Sequence, residues 1–162
     1  MKEIYNKLNN HRYLNNDDLF RFIEFYSKGK ANAILFELEN SYAGVNIIDK
    51  KFKYKVLRDI FNYSKEKIEL IQKNEPNLIV DIYNLNSLMC ILHELHHYKQ
   101  LKAIKENTNL CSTKLKLVRE SLNFASIKPN LYRKYHDFYY FEYDADMTSL
   151  IKILNIINKC KN

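Results

Sequence analysis

Residues that form turns are scarce in this sequence. It contains two glycines, two prolines and no tryptophan among 162 residues. A turn-dense all-β fold needs more glycine and proline than this, so the composition disfavours such a fold. Hydrophobic residues make up 46% and charged residues 28%, which is ordinary for a globular protein. We therefore expect one helix-rich domain over residues 1–162, a length that fits a single core.

Paired cysteines and long apolar runs are also missing. Cys90, Cys111 and Cys160 are odd in number, widely spaced and without a CxxC pair, which argues against a disulfide framework or a thiolate zinc site. The first twenty residues lack the apolar segment of an export signal. No segment approaches the roughly eighteen consecutive apolar residues of a membrane helix. We therefore expect a cytoplasmic protein that does not contact a membrane.

The basic charge does not form a stripe. The formal net charge is +7, and 21 of the 26 basic residues are lysines scattered along the chain. Nucleic-acid-binding proteins concentrate such residues on one face. The charge therefore leaves a nucleic-acid role open without favouring it.

Hydrophobic periodicity predicts a mixture of helices and short strands. Apolar residues at helical spacing predict helices over Asn16–Lys28, Tyr54–Lys73, about Ser87–Glu106, Thr113–Ala125 and about Tyr132–Lys159. Short β-prone runs predict strands at Ala33–Glu39, Gly44–Ile48 and Asn77–Tyr83, the first two as a hairpin. In the third helix a core-facing stripe is expected from Leu88, Ile91, Leu92 and Leu95.

The stretch "LHELHHYKQ" in that helix holds three of the five histidines. His93 and His97 are four residues apart, so a helix places both imidazoles on one face, as a shared cation requires. Glu94 lies beside the first histidine and can reach a water on that cation. This H-E-x-x-H pattern is typical of two zinc ligands with a general base. His96 lies about 100° around the helix from His97, so we expect it to be a neighbour rather than a ligand.

A second pair of spaced residues lies downstream in "YYFEYDADMTSL". Glu142 and Asp146 are again four residues apart on a predicted helix. One carboxylate could bind the metal while the other accepts the free ring N–H of a ligating histidine. Asp144 and Asp137 are alternatives to Glu142 as ligand, although neither has the same spacing. Ala145 and Ser149 lie beside that face, and their small side chains would let this helix approach the histidine helix closely.

These two motifs carry a family resemblance. "HELHH" followed by "EYDAD" resembles the gluzincin zinc metallopeptidases, and the small size looks like the minimal gluzincins and the ImmA/IrrE-type peptidases. The resemblance covers roughly residues 77–155 and implies His93, His97 and Glu142 as zinc ligands. It also implies Glu94 as general base and Asp146 as the outer partner of a ligand. The metzincin pattern, with a further Gly and His after the motif, is absent.

Peptide hydrolysis suits such a centre. Three protein ligands leave a fourth position for water, and Glu94 would take its proton and pass it to the leaving amine. A donor to the oxyanion is also needed. The residues before Glu142 that could supply it are Tyr132, Tyr135, His136, Tyr139 and Tyr140. Tyr135 and Tyr139 are preferred, because they share the face of Glu142 if the helix is continuous.

The sequence thus predicts an α+β, helix-rich, zincin-like single domain with a small β-sheet packed against the HExxH helix. Its parts are a helical N-terminal segment, 1–30, and the sheet and active-site helices, 31–162. The predicted function is zinc-dependent hydrolysis of a protein or peptide substrate, which could add a strand to the edge at Asn77–Tyr83. The alternatives are a catalytically inactive zincin-fold regulatory or binding protein and, less favoured, a basic nucleic-acid-binding protein.

Overall fold

Helices build most of the molecule. The computed structural model describes residues 1–10, 12–29, 32–35, 43–46, 51–54, 73, 82–106 and 112–160. The α-helices whose bounds lie within these ranges are α1 Lys2–Asn9, α2 Asn16–Ser27, α3 Ile82–Glu106, α4 Ser112–Ile127, α5 Pro129–Lys134 and α6 Tyr140–Cys160. A 3₁₀ turn, His136–Phe138, separates α5 from α6. The predicted helices at α2 and α4 are confirmed to within two residues at each end.

Helix α2 begins and ends as its sequence dictates. Asn15 accepts a hydrogen bond from the backbone N–H of Asp18 at 3.0 Å, and Asp18 accepts one from the backbone N–H of Asn15 at 2.9 Å. This reciprocal capping box satisfies donors that the first turn leaves free. Lys28 ends the helix in the left-handed region, with a φ of 55°, and Gly29 follows at 68°. The side chain of Asp18 also pairs with Lys7 of α1 at 2.7 Å, which ties the two helices together.

The main core is helical throughout. Residues of α1, α2, α3 and α6 form one buried apolar cluster, and all four residues of the predicted stripe on α3 belong to it. Burying a side chain of this size stabilises the fold by about 1.5–3 kcal/mol. The members of the cluster are Ile4, Leu8, Leu19, Phe22, Ile23, Leu85, Leu88, Met89, Cys90, Ile91, Leu92, Leu95, Ile153, Ile156 and Ile157.

Helix α3 starts earlier than its sequence suggests. The strand predicted at Asn77–Tyr83 is wrong at its end, because Ile82 and Tyr83 are already helical; residues 77–81 lie outside the described residues. Asn84 lies inside the first turn of this helix and does not cap it. Its side chain instead accepts from the backbone N–H of Leu14 at 3.0 Å and donates to the carbonyl of Arg12 at 2.9 Å. Tertiary partners thus satisfy this buried amide, and the helix extends through it.

The predicted hairpin is wrong in its pairing. The strands β1 Asn32–Leu35 and β2 Ala43–Asn46 do not pair with each other. Both pair with a third strand, β3 Lys51–Tyr54, which is parallel to β1 and antiparallel to β2. The helix predicted over Tyr54–Lys73 is wrong at its start, because Tyr54 belongs to β3, whereas Lys73 is helical; residues 55–72 lie outside the described residues.

The predicted α+β fold class is also wrong. Outside those twelve strand residues, 89% of the described positions are helical. Every buried residue of the main core lies on a helix, and so do the two histidines and two carboxylates of the predicted metal site. The body that forms the core and holds this site is therefore all-helical. Its HExxH helix packs most extensively against α6 and also contacts β2 and β3.

The last helix is interrupted where the sequence predicts continuity. Pro129 stands in the first turn of α5, where its missing N–H costs nothing. Tyr135 leaves helical geometry at the end of α5, and Tyr139 is extended, with φ −81° and ψ 139°. A new helix, α6, then begins with Glu142 in its first turn, where the helix dipole favours a negative charge. Among the described residues, no helix has the length and apolarity needed to cross a membrane.

Candidate metal centre

The two motif histidines meet inside the protein, on the side of α3 that faces α6. His93 is 3% exposed and His97 6%. Their rings lie 4.4 Å apart, centre to centre, at an angle of 88°. Phe141 stacks on His97 at 4.0 Å. Helical spacing and this packing hold both imidazoles in fixed orientations.

Both histidines point the same nitrogen at one carboxylate oxygen. Oε2 of Glu142 lies 3.1 Å from Nε2 of His93 and 3.0 Å from Nε2 of His97. Glu142 comes from the first turn of α6 and is itself buried. The structure therefore brings together the three residues that the sequence predicts as metal ligands.

The other ring nitrogens are held by oxygen acceptors. Nδ1 of His93 lies 2.8 Å from Oδ1 of Asp146, and Nδ1 of His97 lies 2.8 Å from Oε1 of Gln100. A carboxylate oxygen and an amide oxygen can only accept. Each Nδ1 therefore carries a hydrogen and donates it. Asp146 stands where the sequence predicts it. Gln100 was missed, although its position three residues after His97 places it on the same helical face.

These bonds leave the site in need of positive charge. A neutral imidazole that donates from Nδ1 presents a lone pair at Nε2, and here both such lone pairs would face a carboxylate. Only protons or a metal ion can relieve that repulsion. Burial lowers the pKa of His93, but hydrogen bonds to Asp146 and Glu142 outweigh it and raise the pKa to about 9. Burial raises the pKa of Glu142, yet the histidines around it hold this pKa well below its usual range.

Glu94 completes a group that can hold a metal ion. One ligand atom from each of His93, Glu94 and His97 lies within 4.8 Å of the other two. Glu94 is partly exposed, whereas both histidines are buried. The triad thus combines two buried imidazoles with one partly buried carboxylate.

The second oxygen of Glu142 has its own partners. Tyr132 donates its hydroxyl to Oε1 at 2.7 Å, and Nε2 of His136 lies 3.1 Å from the same atom. The hydrogen bond to Glu142, against an opposing effect of burial, raises the pKa of His136 to about 9. Burial and the carboxylate also raise the pKa of the Tyr132 hydroxyl. Two donors therefore fix the orientation of the Glu142 carboxylate.

The two preferred tyrosines lie elsewhere. Tyr139 stacks on Tyr132 at 4.7 Å and on Phe124 at 5.1 Å. Tyr135 is largely exposed and lies against Phe138. Their preference depended on a continuous helix, and the break between α5 and α6 removes that condition. The structure instead turns Tyr132 and His136 toward Glu142.

The alternative carboxylates also have other partners. Oδ2 of Asp144 lies 2.7 Å from Nε2 of His96, which agrees with the expectation that His96 is a neighbour of the site. Asp137 is largely exposed, and its Oδ1 lies 3.0 Å from Nδ1 of His136. Neither carboxylate bonds to His93 or His97 among the contacts of the described residues.

No protein-family model, curated protein or solved structure matches the chain. The site nevertheless has a definite chemical capacity. It offers two imidazole nitrogens and carboxylate oxygens at a buried point between α3 and α6, a donor set that suits a divalent transition metal.

Proposed function

We propose that the chain is a zinc-dependent peptidase. In this proposal His93, His97 and Glu142 bind the metal, Glu94 is the general base, and Asp146 orients His93. The observation that carries it is the convergence of both Nε2 atoms on Oε2 of Glu142 while both Nδ1 hydrogens are held outside the site.

The donor set supports zinc over other metals. Two histidines and one glutamate form a three-ligand set that catalytic zinc sites use, with one position left for water. Calcium and magnesium prefer oxygen ligands alone. Histidines whose other nitrogen bonds to a carboxylate or carbonyl oxygen are also typical of zinc sites. Asp146 and Gln100 supply such oxygens for His93 and His97.

Each side chain then has a role in hydrolysis. When bound, zinc supplies a water of lowered pKa and polarises the substrate carbonyl. Glu94 accepts a proton from the attacking water and gives it to the leaving amine. Tyr132 and His136 donate to Oε1 of Glu142 and so hold the ligand carboxylate with its other oxygen, Oε2, toward the two histidines.

The proposed substrate is a protein or peptide, and the proposed setting is the cytoplasm. Cys90 and Cys160 are free thiols in the structure, as a reducing compartment would keep them. Substrate addition along a strand at Asn77–Tyr83 is not retained, because the end of that segment belongs to α3.

Metal content tests the ligand set. Wild type, His97→Ala and Glu142→Ala are saturated with zinc, passed over gel filtration in metal-free buffer and analysed by mass spectrometry. We expect close to one zinc per wild-type chain and a strong loss in both variants. Circular dichroism at each step shows that the variants are folded. A wild type that retains no zinc would overturn the proposal.

Hydrolysis is tested separately with Glu94→Gln. This variant keeps the shape of the side chain but cannot accept the proton. We expect it to bind zinc as wild type does and to lose cleavage of a peptide library digested from a bacterial proteome, with new termini detected by mass spectrometry. Equal cleavage by wild type and Glu94→Gln would exclude Glu94 as the base. Zinc binding without cleavage by wild type would refute the peptidase proposal and leave a metal-binding protein.

A further inference from the structure

A second cluster of polar side chains, formed by His96, Gln100 and Asp144, lies next to the candidate metal site. His96 and Gln100 are four residues apart on α3, and both side chains reach Oδ2 of Asp144 on α6, at 2.7 Å and 3.0 Å. The arrangement parallels the site itself, where His93 and His97 reach Oε2 of Glu142. Two carboxylates of α6, Glu142 and Asp144, thus each bind an i, i+4 pair of α3.

Gln100 connects the two clusters. Its Oε1 accepts from Nδ1 of His97 at 2.8 Å, while its Nε2 donates to the carbonyl of Phe141 at 3.1 Å and to Asp144. The side chain is buried, at 3% exposure, so water cannot replace these partners. These three hydrogen bonds can therefore form in only one orientation of the amide.

Asp144 helps to decide which orientation that is. A flipped amide would turn its oxygen toward the carboxylate of Asp144 and toward the carbonyl of Phe141, two acceptors that cannot donate. It would also turn its NH₂ group toward the N–H of His97. The charge on Asp144 makes the flip more costly, because repulsion between partly buried acceptors is screened less than in water.

We propose that Asp144 is a positioning residue for the metal site and acts through Gln100. By holding the amide oxygen of Gln100 toward His97, it keeps the hydrogen of that imidazole on Nδ1 and directs Nε2 toward the metal. This inference rests on the proposed zinc ligation by His97. His93 differs, because Asp146 contacts its Nδ1 without an intermediate.

The other contacts of Asp144 give matched controls. Lys114 is exposed and lies 4.0 Å from Oδ1, the oxygen that Gln100 does not use. Lys114→Met therefore changes the charge near Asp144 but leaves the amide of Gln100 in place. Asp146→Leu disturbs the partner of His93 and leaves the chain from Asp144 to His97 intact.

Zinc affinity measures the proposed role. Dissociation constants are determined for the full chain by competition with a chromophoric chelator. We expect Gln100→Leu and Asp144→Leu each to weaken binding by about 10- to 100-fold, the usual effect of losing such a partner. Asp144→Asn keeps an acceptor for the amide but loses the charge, so its affinity should lie between those of wild type and Asp144→Leu, whereas Lys114→Met should stay close to wild type. Unchanged binding in Asp144→Leu would overturn the proposal.

A double-mutant cycle separates positioning from a simple packing effect. If Asp144 acts through Gln100, then Gln100→Leu combined with Asp144→Leu should bind zinc no more weakly than Gln100→Leu alone. Gln100→Leu combined with Asp146→Leu should show additive losses, because the two act on different histidines. Additive losses in the first pair would overturn the proposal. Nitrogen NMR of zinc-loaded wild type should also find the hydrogen of His97 on Nδ1, and the other tautomer would refute it.

A reciprocal exchange provides the same test if the leucine variants fail to fold. Gln100→Glu places two carboxylates together and should weaken zinc binding. Adding Asp144→Asn supplies an NH₂ group that can donate to Glu at position 100, so the second change should restore affinity in this background. A failure to restore it would contradict the proposal. A wild type that binds no zinc would overturn the proposed function. A wild type that binds zinc, with additive losses of affinity in Gln100→Leu and Asp144→Leu, would overturn only the role of Asp144.

Discussion

The close approach of α3 and α6 can be tested at Ala145. This residue is 0% exposed and lies three positions after Glu142, on the same face of α6. Ala145→Leu adds an isopropyl group at a position that has no solvent exposure. Overpacking of this kind costs typically about 1–3 kcal/mol. We expect the metal-free protein to relieve part of this strain by letting α6 move away from α3.

Metal binding must reverse that movement. The ligands come from both helices, and in the structure the two histidine nitrogens lie 3.0–3.1 Å from Glu142 Oε2. Affinity falls by the part of the strain that the metal-free protein had relieved, so about 1–3 kcal/mol, or roughly 5- to 150-fold, is the upper limit of the loss. Every metal ligand is still present in this variant. The loss would therefore report the separation of the helices alone.

The assay is a zinc dissociation constant by chelator competition, with urea denaturation of the metal-free protein alongside. Tyr143→Leu is the matched control, because it introduces the same side chain two positions earlier on α6, where the native residue is largely exposed. It should change neither quantity much. Wild-type zinc affinity in folded Ala145→Leu would refute the view that the metal is held between α3 and α6.

Three further predictions concern stability, each followed by urea denaturation of metal-free protein. Ile153→Ala, at a fully buried core position, should lower the free energy of unfolding by about 2–5 kcal/mol. A smaller loss would mean that the core around residue 153 closes easily over the cavity. Asn15→Ala removes the capping box of α2 and should cost about 0.5–2 kcal/mol without affecting zinc affinity; a change in affinity would contradict the separation of α2 from the site. Burial and the neighbouring Lys99 lower the pKa of Lys152 from 10.5 to about 8. The unfolded chain therefore binds this proton more tightly than the folded one, and the free energy of unfolding of wild type should rise as the pH increases from about 8 to 10.5. Lys152→Met should abolish that rise, and an equal slope in both proteins would exclude Lys152 as its source.

Local spacing predicted which side chains share a helical face, because helices repeat regularly. The i, i+4 positions of His93 and His97, and of Glu142 and Asp146, were enough to bring these side chains to one face on each of two helices. The core stripe on α3 followed from the same periodicity. The distant contacts that place α6 against α3 were not visible in the spacing, although the small residue Ala145 suggested them.

The misplaced elements were decided by tertiary partners. Asn84 resembles a helix cap in the sequence, yet its amide is satisfied by backbone groups of Arg12 and Leu14, some seventy residues away. The break at Tyr139 likewise has no glycine or proline to mark it. It determines that Tyr132 and His136, rather than Tyr135, reach Glu142. A single sequence has no signal for contacts of this kind.

The shared core gives α3 two separate duties. One side of this helix holds the histidines, and the other packs against Leu8 of α1, Phe22 of α2 and their neighbours. A shortened protein that begins after α2 would keep every candidate ligand but expose the second side of α3 to water. The N-terminal helices, which contribute none of the metal ligands proposed here, thus belong to the smallest unit that can hold the histidines in place.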